Sequence, residues 1–340
     1  MRTEVAPTPR DVVTSFGTAK LLRFLSTERT SGRVKTPILL VPSLINRWYV
    51  LDLREGASLV ASLLPHRDVY CLDFGAPEDE DRYLTFETVV SRVRHAVRTV
   101  RRESRAERVA LLGYCMGGTL AAIHTALHPD TIAGLVNLAG PIDFEAAGIL
   151  RLMVDERWFD PVAITAPGNI APVMMQSGFM AMQPTVQISK WVNLFARAHS
   201  AEEREAFAAL DRWASDNVAF PGAAYVRYIQ DLYQQNLLLS GRLALAGRRV
   251  DLGRITCPVL TVVASRDAIC PPKAATALNA KVSSADTSVL EIPGGHVGAV
   301  VGKKASDKLY PALEKWLREK TDRTAEESGL HAPADLSADR

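Results

Sequence analysis

Cys115 lies in Gly113-Tyr114-Cys115-Met116-Gly117, between a β-branched and leucine-rich run (109–112) and an apolar segment of helical character (119–127). A buried strand, a sharp turn of about four residues and a helix make the layout of a nucleophile elbow, with cysteine in the place serine usually holds. The glycines have a mechanical role. A nucleophile on such a turn occupies a strained backbone conformation, and side chains two residues to either side would collide with the strand and helix. A lone cysteine is ordinarily inert packing. Its setting at a strand–helix junction between glycines reverses that reading.

A cysteine nucleophile needs a base to form thiolate and a third group to orient that base. Around this kind of elbow the acid follows a late strand and the histidine follows the last one. Asp267 comes just after the strand-like run 258–264, and His296 just after 288–292, in Pro-Gly-Gly-His-Val-Gly. Glycines 294, 295 and 298 let that loop carry the imidazole over the elbow. Asp143 also follows a strand end and is the rival acid, with Asp267 favoured. The backbone N–H of Met116, and a second from the loop after the first strand around Leu44 and Ile45, would form an oxyanion hole. Losing one such donor typically costs about 3–4 kcal/mol of transition-state stabilisation.

The choice of cysteine points to acyl transfer from a thioester. Thiolate attack on an acyl-CoA exchanges one thioester for another, so the acyl group stays activated for a second acceptor, and cysteine ionises readily near neutral pH. Cys71, Cys257 and Cys270 lack such a setting and read as structural. His124 and His128, on the elbow helix, read as packing or solvent-facing, and Asp73 in Asp-Phe-Gly has no kinase signature around it. No metal-ligand spacing is present, and no cofactor is implied beyond a CoA thioester as substrate.

The elements that must position these residues alternate between strand and helix. Residues 1–35 read as a polar, irregular N-terminal segment with a short helix near 19–25. A strand at 38–41, a helix over 50–64 and a strand at 69–74 follow. Phe86, Val90, Val93, Val97 and Val100 then mark one buried helical face, and the arginines at 92, 94, 98, 101 and 102 read as its solvated side. A strand at 134–138 follows the elbow helix. From 145 to 249 the alternation stops, in a stretch rich in Met, Trp, Tyr and Gln with helical patterns at 186–198 and 223–239. It resumes over 250–320, and residues 321–340 read as a disordered tail. The expected fold is therefore α/β: a mostly parallel sheet (36–144 and 250–320) with helices on both faces and an inserted cap, 145–249, over the strands' C-terminal edge. Met174, Met175, Phe179 and Met180 could form a polymer path or a dimer contact, with plain core of that cap the favoured reading.

The chain has 340 residues, 40 basic and 38 acidic, for a net charge of +2, which disfavours nucleic acid as the main partner. Four scattered cysteines suggest no disulfide framework, the first residues lack the apolar core of a signal peptide, and no apolar run spans a bilayer. A cytoplasmic location is expected.

Several segments together resemble one known family: PSLINRWYVLDL, DFGAPEDEDRYLTFE, GYCMGGTLAAIHTALHPD, GNIAPVMMQSGFM, YIQDLYQQNLLLSGRL and PGGHVG. They are similar to polyhydroxyalkanoate synthases, α/β-hydrolase-fold enzymes that polymerise (R)-3-hydroxyacyl-CoA, and to the small class that works with a second subunit. The resemblance implies that Cys115 carries the growing acyl chain, that His296 deprotonates it, and that His296 with Asp267 then activates the 3-hydroxyl. It also implies a homo-oligomer, a second synthase subunit and a polyester granule surface as partners. Three positions depart from the family's pattern: Ala268 stands where histidine is usual, Phe74 where tryptophan is common, and Ser43 where proline is usual. Two other readings compete: a thioesterase or esterase with the same triad and water as acceptor, and a non-catalytic granule-binding protein.

Overall fold

The computed structural model describes residues 4–26, 35–182 and 200–322. The sheet is built from β1 (Arg10–Phe16), β2 (Ala19–Phe24), β3 (Ile38–Val41), β4 (Val69–Asp73), β5 (Val109–Tyr114), β6 (Ile132–Leu138), β7 (Val259–Ala264) and β8 (Thr287–Ile292). Their spatial order is β1-β2-β4-β3-β5-β6-β7-β8. The six strands from β4 to β8 in that order pair parallel, while β1 and β2 add an antiparallel edge.

The central strands are apolar at nearly every position because both faces are covered. Alternation sorts their side chains. Leu39, Val41, Val109 and Leu111 join one core cluster, with Val93 and Val97 of α1 (Phe86–Ser104) and Leu120 of α2 (Met116–Leu127). Ile38, Leu40, Ala110 and Leu112 join the other, with Leu313 and Leu317 of the closing helix, Tyr310–Lys320. The Thr85 hydroxyl caps α1 by accepting from Thr88 N–H, and Arg105 ends it in the left-handed conformation. The spaced valines are buried as expected, and Arg94, Arg98 and Arg102 are exposed. Arg92 is not: it sits on the flank of the apolar face and is buried.

Two local expectations are corrected. Residues 19–24 form a strand rather than a helix, because the run Ala-Lys-Leu-Leu-Arg-Phe pairs with β4 on one side and, through a turn at Gly17 (φ +63°), with β1 on the other, so that residues 10–16, expected to be irregular, make the sheet's edge. Between residues 50 and 64 only Leu59–Leu63 is α-helical, since Gly56 at φ +74° makes a tight hairpin of Asp52–Arg54 and Ala57–Ser58 before it.

After β6 the chain leaves the sheet and returns only at β7. The described part of this excursion is mainly helical: short helices Ile149–Met153 and Pro161–Thr165, then α3 (Pro172–Met182), α4 (Ala201–Ser215) and α5 (Gly222–Arg227), which runs into a π-helical turn at Tyr228–Gln234. In α3 Met174 and Met180 are exposed while Met175 and Phe179 are half-buried and pack against the core, so the plain-core reading holds for only part of that stretch. The helical pattern at 186–198, and the tail apart from residues 321 and 322, lie outside the described residues. Contacts with the loop after β3 hold the excursion over the sheet. Asn46 donates to Asn217 at 2.6 Å, Arg47 and Tyr49 reach Asp216 at 3.0 and 2.8 Å, and Trp213 Nε1 donates to the Arg47 carbonyl at 2.9 Å.

Candidate active site

Cys115 is the single residue between β5 and α2, a tighter turn than the sequence suggests, with φ 56° and ψ −127°. A non-glycine residue there is strained, and the surroundings hold it in place. Its N–H donates to Leu138 O (2.9 Å) and its carbonyl accepts from Gly118 N–H (2.8 Å). A Cβ at Gly113 would overlap the Gly117 backbone, and one at Gly117 would overlap the carbonyls of Val41 and Pro42. The glycines therefore let the end of β3 and the start of α2 close together beneath the thiol.

His296 comes from the loop after β8, where Gly294 turns at φ +139°. Its Nδ1 lies 2.7 Å from Asp267 Oδ2. The other carboxylate oxygen, Oδ1, accepts the N–H groups of Ile269 (2.9 Å) and Cys270 (2.8 Å), which orients Asp267 from its own loop. Asp267 and His296 are 5% and 8% exposed. Burial works against a charged imidazole, but the Cys115 sulfur and the Asp267 carboxylate beside it outweigh burial, so its pKa is raised. The Tyr114 ring stacks on the imidazole at 5.3 Å between centroids and limits its rotation. Nε2 is buried and faces the thiol, whose nearness raises the imidazole pKa although the geometry falls short of a full hydrogen bond. Catalytic contacts of this kind commonly tighten only when substrate is bound.

Asp143, the rival acid, is engaged elsewhere: its Oδ1 accepts from Asn236 Nδ2 at 2.8 Å. The structure thus brings together Cys115, His296 and Asp267.

A cavity of about 240 Å³ opens above Cys115, and its walls are mainly apolar. Met116 and Ile45 line it beside the thiol. As the first residue of α2, Met116 has no carbonyl within the helix to pair with its N–H. Leu44 does not reach the cavity; it is 1% exposed and packs into the core below. The excursion supplies the far wall, including Leu150, Phe159, Met175, Phe179 and Tyr233.

Three wall residues are not singled out as site residues by the sequence. Ser43 and Cys270 line the cavity, as does Tyr228 of the π-helical turn. Cys270 is buried, and burial first, then the charges of Asp267 and Cys115, push its thiol pKa well up, consistent with an unreactive wall residue. Its place in Asp-Ala-Ile-Cys, three residues past the acid, is the available signal. Cys71 and Cys257 lie away from the cavity, with thiols also raised chiefly by burial. His124 is packed inside, with its pKa lowered to about 3 by burial and then by His128 and Arg94. Among the described residues no cluster of metal-ligating side chains occurs.

Comparison with known proteins gives a consistent result. The pattern of the alpha/beta hydrolase fold matches residues 36–302, and that of the poly-beta-hydroxybutyrate polymerase (PhaC) N-terminus matches residues 1–63. The poly(3-hydroxyalkanoate) polymerase subunit PhaC of Haloferax mediterranei is 36% identical over 329 residues, covering 95% of this chain and 66% of its own length. Its namesake from Allochromatium vinosum is 34% identical over 316 residues, covering 92% of this chain and 89% of that protein. Among solved structures, a hydrolase from Pseudomonas aeruginosa PA01 superposes with a TM-score of 0.55 at 16% identity, over 91% of this chain and 97% of that one. A putative lipase from Sulfolobus solfataricus also gives 0.55 at 16% identity, over 92% and 99%. At such identities the likeness shows a shared fold.

Proposed function

The chain belongs to the poly(3-hydroxyalkanoate) polymerase PhaC family, and from that premise we propose that it polymerises (R)-3-hydroxyacyl-CoA, such as 3-hydroxybutyryl-CoA, into polyhydroxyalkanoate and releases CoA. The observation that carries this reading is Cys115 on the floor of an apolar cavity with the His296–Asp267 pair beside it.

In this reading His296 Nε2 takes the Cys115 proton, and the thiolate adds to the thioester carbonyl. The oxyanion is held by the Met116 N–H and by the loop around Ile45, with the N-terminal end of α2 adding its partial positive charge. Collapse breaks the bond to CoA, and His296 returns the proton to the departing thiolate. The acyl group is now a Cys115 thioester of similar energy. His296 next takes the proton of a 3-hydroxyl, whose oxygen attacks that thioester, forms the ester bond and frees Cys115 for the next exchange. Asp267 keeps the imidazole in the tautomer and orientation both steps require. The apolar walls favour the hydroxyacyl acceptor over water.

Incubation with (R)-3-hydroxybutyryl-CoA, followed by product analysis, tests the acceptor: polyester supports the synthase, while free hydroxyacid as the sole product indicates a thioesterase using the same triad. Cys115→Ala should abolish CoA release. A granule-binding protein without activity would be unaffected by that change.

The relatives from Haloferax mediterranei and Allochromatium vinosum are each named as a polymerase subunit, which supports a second synthase subunit as partner. A homo-oligomer and attachment to the polyester granule from the cytoplasmic side complete the proposal. No helix among the described residues is long and apolar enough to cross a membrane. Reconstitution with a candidate second subunit, read as a gain in CoA release, tests the partnership.

A further inference from the structure

Ser43 follows β3 in the loop that meets the first turn of α2. It is 3% exposed, and its Oγ is buried without a hydrogen-bond partner among the described residues. A hydroxyl withdrawn from water and left unpaired is unfavourable, so such a group in a folded chain calls for an explanation. Its position offers one. Ser43 lines the cavity together with Cys115, Met116 and Ile45. The close packing that glycine permits at position 117 sets the Val41 and Pro42 carbonyls against α2, so the residue that follows them lies next to the elbow. Most of the remaining wall is apolar, which makes this hydroxyl one of few side-chain donors at the cavity floor.

We infer that Ser43 Oγ–H donates a hydrogen bond to the oxyanion formed when Cys115 attacks a thioester, supplementing the backbone donors. The inference rests on the acyl-transfer reading of Cys115. A hydroxyl can rotate to meet an oxygen that carries full charge only in the transition state. The donor lies in a dry site where such a bond is strong, and it has no competing partner to give up. Ser43 is then a catalytic residue whose contribution appears in the rate of acylation rather than in substrate affinity.

The test is single-turnover CoA release from (R)-3-hydroxybutyryl-CoA by wild type, Ser43→Ala and Ser43→Thr, with thermal midpoints measured in parallel. Loss of one oxyanion donor predicts a fall of about 100- to 1,000-fold in the acylation rate of Ser43→Ala with KM little changed. Ser43→Thr, which keeps the hydroxyl, should retain most of the rate. The thermal midpoint of Ser43→Ala should be unchanged or higher, because an unpaired buried hydroxyl has been removed. A purely structural serine would instead lower the midpoint and spare the rate. Equal acylation by wild type and Ser43→Ala overturns the assignment, as does a threonine variant no better than alanine or a wild type that releases no CoA. Because acylation precedes the choice of acceptor, a wild type that makes only free hydroxyacid refutes the polymerase reading, while the comparison of acylation rates still decides the role of Ser43.

Discussion

His296 Nδ1 stands 2.7 Å from Asp267 Oδ2, while Oδ1 of the same carboxylate is held by two backbone N–H groups from residues 269 and 270. Both oxygens are thus committed. The carboxylate is fixed by its own loop and in turn fixes the imidazole, leaving Nε2 free to face Cys115.

Asp267→Asn should leave the fold intact, since the amide is nearly isosteric. It should lower CoA release by about 10³- to 10⁴-fold, because an amide N–H presented to Nδ1 favours the wrong tautomer. Rates measured beside a far-ultraviolet dichroism spectrum check this. Activity within tenfold of wild type would remove Asp267 from the role.

His124 predicts an acid sensitivity unconnected with catalysis. Both its ring nitrogens are buried and unpaired among the described residues, and its pKa in the folded protein is lowered to about 3. Below its ordinary value of about 6.5 the unfolded chain takes up a proton that the folded chain does not, so the unfolded state gains as pH falls. Stability is full above that value and declines from there towards pH 3, by at most about 1.4 kcal/mol per pH unit. His124→Leu should flatten that decline in urea titrations at about pH 7, 6 and 5. An unchanged slope would assign the acid sensitivity to other groups.

Arg67 links the start of β4 to the end of the closing helix. Its side chain is wholly buried and donates to the Thr36 carbonyl (3.1 Å), Asp322 (3.0 and 3.1 Å) and Glu314 (3.3 Å). Arg67→Met would strand two carboxylates that are themselves mostly buried and should cost about 3–5 kcal/mol, read as a lower denaturation midpoint. The protein that remains folded should release CoA at an undiminished rate, because this cluster lies outside the cavity walls.

The part of the molecule legible in the sequence is the part governed by local rules. The elbow and the acid each follow a strand whose run of buried residues is visible in the chain, the histidine follows a strand recognised by its β-branched and apolar residues although only Ile292 of it is buried, and glycine marks the turns. Residues 19–24 are ambiguous because two leucines beside each other fit a helix face as well as a strand, and only pairing with β4 decides between them. Residues 50–64 are ambiguous for the same reason, with Gly56 as the local signal of a hairpin. The cavity walls are less accessible still. Phe159, Phe179 and Tyr233 are distant from Cys115 in sequence and meet it only when the excursion folds back over the sheet. Ser43 stands out in the sequence only as a departure from a family pattern, and its lack of a partner exists only in three dimensions.

The central claim is that Cys115 carries the growing chain as a thioester and passes it to a hydroxyl. Its most direct test is the mass of the Cys115 peptide after brief exposure to (R)-3-hydroxybutyryl-CoA and acid quenching. The account predicts a ladder of adducts spaced by one hydroxyacyl unit, confined to that peptide and removed by hydroxylamine. A Cys115 peptide that stays unmodified while CoA is released, or that carries a single unit while free hydroxyacid accumulates, would contradict it.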